Sequence, residues 1–225
     1  MTSRSPRTIA AVAAGKVTRL ALQRLGRGAT ALPGIVTLNL APNAIASLSA
    51  TLTHGTVCVS GTNGKTTTAR MLSDIVRAAG WAPVHNRAGS NLDRGIAAAL
   101  LADATWGGEL RGDIGVFEVD EASVPRVLAR ISPRVLVITN LFRDQLDRYF
   151  EIDALARRIG DAVAKLDPKT TLVLNADDPI VATLGSRHGG PVVHFGVDDP
   201  SVGDSACLHD AENVACQWAK LAAMS

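Results

Sequence analysis

Aromatic side chains are scarce: they make up 4% of 225 residues, with three tryptophans, four phenylalanines and a single tyrosine. Any core must therefore be aliphatic, and 47% apolar residues are enough to fill one α/β domain or one and a half. Acidic residues are missing from the first 73 positions, since the first is Asp74, whereas Arg4, Arg7, Lys16, Arg19, Arg24 and Arg27 all precede residue 30. The overall charge of +2 thus hides a basic leading end. Cysteine is limited to Cys58, Cys207 and Cys216, which form no even-numbered disulfide framework. With Cys58 inside an apolar run, the pattern points to a reducing, cytoplasmic compartment. Long apolar runs are absent as well. The stretch Ile9–Ala14 is short and is followed by Lys16 and Arg19, a poor signal peptide, and no transmembrane segment is expected.

The basic lead "RTIAAVAAGKVTRLALQRLGRG" has two readings. It could touch anionic lipid, a polyanion or an acidic partner, or it is a solvated helix with one buried stripe, which is the preferred reading. "RGATALPGIVTLNLAPN" reads as a linker into the next domain, and the stretch after Gly196 as a second one. Beyond Ala50, short runs rich in Val and Ile alternate with segments of helical period, the pattern of a mostly parallel sheet with helices on both faces. Strands are expected at Thr56–Val59, Pro83–His85, Ile114–Val119, Val135–Thr139, Thr171–Leu174 and Val192–Phe195. Helices are expected at Thr66–Ala79, Arg94–Ala102, Val124–Ala129, Ile152–Leu166 and Ile180–Leu184. Gly80 suits a helix end, and Pro133 and Pro168 precede strands.

"VCVSGTNGKTTTARML" (57–72) runs from an apolar strand into a two-glycine loop and then a helix. In an α/β sheet such a loop lets backbone N–H groups close around anionic oxygens, and the helix start adds unsatisfied N–H groups and a positive dipole end. Lys65 supplies a full charge for β and γ phosphates, and the Thr66 hydroxyl is the usual Mg²⁺ ligand, so the order of residues asks for a nucleoside triphosphate. The general pattern G-x-x-x-x-G-K-[ST] fails, because Val59 stands five residues before Gly64 and the first glycine is Gly61.

A phosphate site with Mg²⁺ needs an acid at the end of a neighbouring strand, and "DIGVFEVDEAS" offers one. Alternation places Glu118 and Asp120 on one face and Val119 on the other. Glu118 is assigned to the metal, while Asp120 or Glu121 either caps the next helix or contacts the metal shell through water. Asn140, ending the strand "RVLVITN", stands at a ligand position. Behind it, Arg143 with Asp147 and Asp144 with Arg148 suit a salt-bridged, solvated helix. In "LNADDP", Asn175, Asp177 and Asp178 are either turn chemistry before Pro179 or contacts to a nucleotide's base or sugar.

Taken together, "GTNGKTTT", "RAGSNLDRGIAAAL", "FEVDEASVP", "ITNLFRDQLDRYFEID" and "LNADDP" resemble the Mur ligase superfamily over roughly residues 30 to 205. Within it the chain is similar to the MurT family, the ligase-like subunits of lipid II isoglutaminyl synthases. Gln145 stands where most peptide-forming Mur ligases carry histidine, which together with "GSNLDRG" points toward that family. The resemblance implies the Mur ligase central-domain fold and ATP-dependent activation of the α-carboxylate of the stem D-glutamate of lipid II as an acyl phosphate. Ammonia from a GatD-like glutaminase partner would then give D-isoglutamine. It further implies that Gly61, Thr62, Asn63, Gly64, Lys65, Thr66 and Thr67 bind ATP, that Lys65 is the catalytic cation, and that Thr66 and Glu118 hold Mg²⁺. No nucleic acid partner is implied, and the location is cytoplasmic, peripheral at the inner membrane face where lipid II lies. The alternatives are another Mur-type ligase of the folylpolyglutamate kind, or a non-catalytic nucleotide-binding fragment. The family's four-cysteine zinc ribbon is not expected here, because Ala219 stands where the partner of Cys216 in a C-x-x-C pair belongs. The expected division is a helical lead and linker over 1–50, the ATP-binding domain over 51–205, and an incomplete segment over 206–225.

Overall fold

The computed structural model describes residues 5–26, 31–86, 92–141 and 149–197, with the side chains of 149–151 left aside. The chain opens with three helices, α1 (Pro6–Arg24), α2 (Leu32–Leu40) and α3 (Ala44–Ser49). Ser5 starts α1 by accepting the Thr8 N–H on its Oγ at 3.2 Å, with Pro6 in the first turn where no N–H is missed. The buried stripe expected on this helix is there, made of Thr8, Ala11, Val12 and Gly15. Its outward face is less polar than a solvated helix requires, since Ile9, Val17 and Leu20 are exposed.

Helix α2 corrects the linker reading of "RGATALPGIVTLNLAPN". Residues 32–40 are helical and lie on α5 (Asp93–Asp103) at Gly34, where a Cβ would stand 2.0 Å from the Arg94 carbonyl oxygen. The segment carries no charge, so it gains more by burial against neighbouring helices than by exposure. Pro33 and Gly34 read as loop signals in the sequence, yet the proline sits in the first helical turn and the glycine permits backbone contact.

Six parallel strands come next: β1 (Thr56–Ser60), β2 (Pro83–His85), β3 (Ile114–Glu118), β4 (Val135–Ile138), β5 (Thr171–Asn175) and β6 (Val192–Phe195). They lie in the order β2-β3-β1-β4-β5-β6. Each expected strand is present, and the expected helices are α4 (Lys65–Ala78), α5, α6 (Val124–Leu128), α7 (Tyr149–Val163) and α8 (Pro179–Thr183), with ends differing by at most three residues. Gly80, at φ +87°, stands just past the end of α4.

Alternation along the strands divides the core between the two faces of the sheet. Val57, Val59 and Val116 pack with Ala69 and Val76 of α4 on one face. Cys58, Phe117, Leu136, Ile138, Leu172 and Leu174 pack with Leu100, Leu101, Ile159 and Val163 on the other. Truncating one of the fully buried leucines or isoleucines among these to alanine costs ~2–5 kcal/mol.

The strand order places the site. The chain leaves β1 for α4 and β2 on one side, and β4 takes the place on the other, so connections diverge on either side of β1. In open α/β sheets the ligand crevice lies at such a switch point, outside the carboxyl ends of the strands. Val59 lies opposite Glu118 and Ser60 opposite Ile138, so the loop after Ser60 emerges between the ends of β3 and β4.

Candidate functional site

The loop Gly61-Thr62-Asn63-Gly64 joins β1 to α4, and its shape depends on both glycines. Gly61 has φ +136°, and a Cβ on it would meet Thr139 Oγ1 at 2.2 Å and the Asn140 backbone at 2.9 Å. Gly64 has φ +82° with open space around it, so there the backbone angle alone demands glycine. Gly64 is also the N-cap of α4, and no side chain caps that helix. The helix start thus presents N–H groups and a positive dipole end to whatever occupies the crevice.

The end of β4 holds the loop. Asn140 Oδ1 accepts the Asn63 N–H at 2.8 Å, its Nδ2 donates to Asn63 O at 3.1 Å, and its carbonyl accepts the Thr62 N–H at 2.8 Å. Thr139 adds a hydroxyl bond to Asn63 O at 2.8 Å. The strand-end position of Asn140 is as expected, but its amide is spent on bracing the loop.

Lys65, the first residue of α4, folds back over the loop. Its Nζ donates to Gly61 O, to Thr62 O at 2.9 Å, and to Glu121 Oε2 at 3.2 Å. Next to it, Thr66 Oγ1 donates to both oxygens of Glu118, at 2.9 and 3.0 Å. Glu118 is 3% exposed, and the hydroxyl and carboxylate together make a compact set of hard oxygen donors. Such a set suits Mg²⁺, which favours one or two protein oxygens with water and phosphate completing its shell. The structure therefore brings Lys65, Thr66 and Glu118 together across the β1–β3 pairing, while Thr67, in the first turn of α4, is exposed to solvent.

Other acids settle into architecture. Asp120 accepts the Ala122 N–H at 3.1 Å, which leaves Glu121 as the acid at the lysine. Asp178 accepts from Ile180 N and Val181 N at the start of α8 and from Leu141 N at 2.7 Å. Asn175 accepts from Asp177 N, and Asp177 from Val197 N, so "LNADDP" is turn chemistry in this structure. Arg143, Asp144, Gln145, Asp147, Arg148, Cys207, Cys216 and Ala219 lie outside the described residues. Cys58 is fully buried, and desolvation pushes its thiol up to about 12.

Asn86 went unread in the sequence. It is 1% exposed, its Nδ2 donates to Glu118 O, and its Oδ1 accepts the Glu118 N–H, each at 2.8 Å. The amide clamps the backbone of the acid at the site. The signal available was an amide directly after β2, but only the pairing of β2 with β3 shows whom it meets.

The Mur ligase middle domain matches residues 59–219. The MurT subunit of the glutamine-hydrolysing lipid II isoglutaminyl synthase of Staphylococcus aureus (strain N315) is 36% identical over 187 residues, 83% of this chain and 41% of that protein. Its counterpart from Streptococcus pneumoniae (strain R6) is 35% identical over 211 residues, 93% of this chain and 45% of that protein. The chain spans less than half the length of these relatives. Among solved structures, the MurF ligase of Thermotoga maritima in complex with ADP has a TM-score of 0.60 at 17% identity, over 72% of this chain and 37% of that one, a likeness of fold.

Proposed function

The chain belongs to the Mur ligase family, whose middle domain it carries, and on that premise we propose that it binds ATP on Gly61–Thr67 and activates a carboxylate by phosphorylation. The substrate in this reading is the α-carboxylate of the D-glutamate in the lipid II stem peptide. The relatives' description as subunits of a glutamine-hydrolysing synthase supports a GatD-like glutaminase partner supplying ammonia. Residues 51–205 would form the ATP-binding unit, with 1–50 as its helical lead.

A carboxylate is a poor acyl donor, so one of its oxygens attacks the γ-phosphorus and the bond to the bridging oxygen breaks, releasing ADP. Ammonia then adds to the acyl carbon, phosphate departs with the C–O electron pair, and a proton is lost to leave the amide. The protein's part is positioning and charge. With the Thr62 and Asn63 N–H groups taken by Asn140, the N–H groups at Gly64 and the start of α4 receive the phosphates, and Lys65 places its cation at the β and γ oxygens. Thr66 and Glu118 would hold Mg²⁺, which when bound offsets charge on the β and γ phosphates. Asn140 and Thr139 keep the loop in shape, and Asn86 keeps Glu118 at the strand end.

The observation that carries this reading is the convergence of Lys65 with the Thr66–Glu118 pair at the mouth of a loop ending in a helix start. In the complete complex, Lys65→Ala should abolish ATP-dependent phosphorylation of lipid II, and unchanged turnover would refute the assignment. Incubation with folate substrates in place of lipid II separates the amidating reading from a folylpolyglutamate-like one, because ADP release with folate alone would discard the former.

No helix among the described residues is long and apolar enough to cross a membrane. We place the protein in the cytoplasm, touching the inner membrane face through α1, where Val17 and Leu20 are exposed near Arg24. Co-sedimentation with anionic vesicles should weaken in Arg19→Gln/Arg24→Gln, and binding that ignores both arginines would remove this contact.

A further inference from the structure

Lys65 has three N–H donors and the protein uses all three. Two go to carbonyls of the same loop, so they accompany Lys65 wherever the loop goes. The third goes to Glu121, on the turn after β3, and so comes from a different element. The pair is largely withdrawn from water, with side-chain exposures of 12% for Lys65 and 22% for Glu121. A phosphate oxygen cannot reach the ammonium until at least one of these bonds is released, and the anionic acceptor is the one a phosphate resembles.

The neighbouring groups sharpen the point. Glu118, three residues earlier, is committed to the Thr66 hydroxyl through both oxygens, and Asp120 is turned to the Ala122 N–H. Of the three acids in "EVDE", Glu121 is therefore the one whose partner is the lysine. Once that lysine turns to phosphate, Glu121 is left as an unpaired carboxylate beside a polyanion, a repulsive arrangement unless another cation is present.

We infer that Glu121 is a positioning residue of the nucleotide site: it holds the Lys65 ammonium over the loop until phosphate replaces it, and it thereby makes nucleotide binding depend on an accompanying divalent cation. The inference rests on the reading of Gly61–Thr67 as a nucleotide site. Its consequence is selectivity for the metal complex over the bare nucleotide, since the latter meets Glu121 without compensation. Removing the charge while keeping the shape should strengthen bare-nucleotide binding, the opposite of what loss of an ordinary structural contact would do.

The test compares wild type with Glu121→Gln and Glu121→Asp by calorimetric titration of the non-hydrolysable analogue AMPPNP, once in EDTA and once in excess MgCl₂. For Glu121→Gln the affinity in EDTA should rise about threefold to fivefold, the size of a partly exposed ion pair, with a change below twofold in MgCl₂. Glu121→Asp, which retains the charge, should keep the wild-type dependence on metal. Unchanged or weaker binding of Glu121→Gln in EDTA would overturn the inference. A second readout needs no nucleotide: acetylation of Lys65 by an amine-reactive ester, read by mass spectrometry, should be faster in Glu121→Gln than in wild type, and equal rates would show that the carboxylate does not restrain the amine. If wild type binds no AMPPNP even with MgCl₂, the nucleotide reading fails while the labelling rates still decide the pair; if wild type binds and Glu121→Gln behaves alike, this inference fails alone.

Discussion

Replacing Asn140 by alanine isolates the support of the loop from the chemistry on it. The change deletes two hydrogen bonds, from Asn63 N–H at 2.8 Å and to Asn63 O at 3.1 Å. It leaves the backbone bond from Thr62 N to Asn140 O and the Thr139 hydroxyl bond to Asn63 O in place. A typical protein hydrogen bond contributes ~0.5–1.5 kcal/mol, and both lost bonds are exposed to water, so the lower part of that range applies and the pair comes to about 1 kcal/mol. If that energy serves to hold the loop in its phosphate-binding shape, affinity for AMPPNP with MgCl₂ falls by a factor of about five. Asn140→Asp goes further. It keeps an acceptor for Asn63 N–H but sets a carboxylate oxygen against Asn63 O and brings negative charge to the proposed phosphate site, so its loss should exceed that of alanine and grow as salt is lowered. Calorimetric titration gives both affinities, and thermal melting reports whether the fold has suffered. Affinity within twofold of wild type for both variants would refute the view that the end of β4 preorganises the loop.

Gly61→Ala should cost more than Gly64→Ala in urea unfolding: at Gly61 the added carbon meets Thr139 Oγ1 at 2.2 Å and the Asn140 backbone, ~2 kcal/mol or more, whereas at Gly64 only the positive φ is strained, ~1 kcal/mol. The reverse order would contradict the packing around the loop. Asn86→Leu keeps the volume but orphans the buried N–H and C=O of Glu118, so stability should drop by ~2–4 kcal/mol, and a drop below ~1 kcal/mol would mean that the clamp is dispensable. For Cys58 burial raises the thiol from 9.0 to about 12, so its stabilising contribution is complete below pH 9 and is lost as pH rises toward 12. The unfolding free energy of wild type relative to Cys58→Ala should therefore be flat from pH 6 to 8 and shrink above pH 9; a difference that grows with pH would refute the burial of the thiol.

The legibility of the sequence divides along the line between local and non-local causes. The strands and the helices beyond residue 50 could be read because the signal of each lies within its own segment, an apolar run in "TVCVS" and a helical period in "KTTTARMLSDIVRA". The loop could be read because glycines, lysine and threonine are contiguous. Helix α2 was hidden because its helical state depends on α5 lying within backbone contact of Gly34, a neighbour about sixty positions away. The same reason hides half of the site. Glu118 could be placed by its strand, but its link to Thr66 spans 52 residues, the tie of Lys65 to Glu121 spans 56, and the bonds between Asn63 and Asn140 span 77. Each of these contacts arises from strand order, with β3 and β4 on either side of β1, and strand order is a property of which crossovers the packed helices allow. Periodicity within a segment carries no record of that choice. Residue types at strand ends therefore name candidates, and the sheet decides among them: it pairs Thr66 with Glu118, Lys65 with Glu121 and the loop with Asn140.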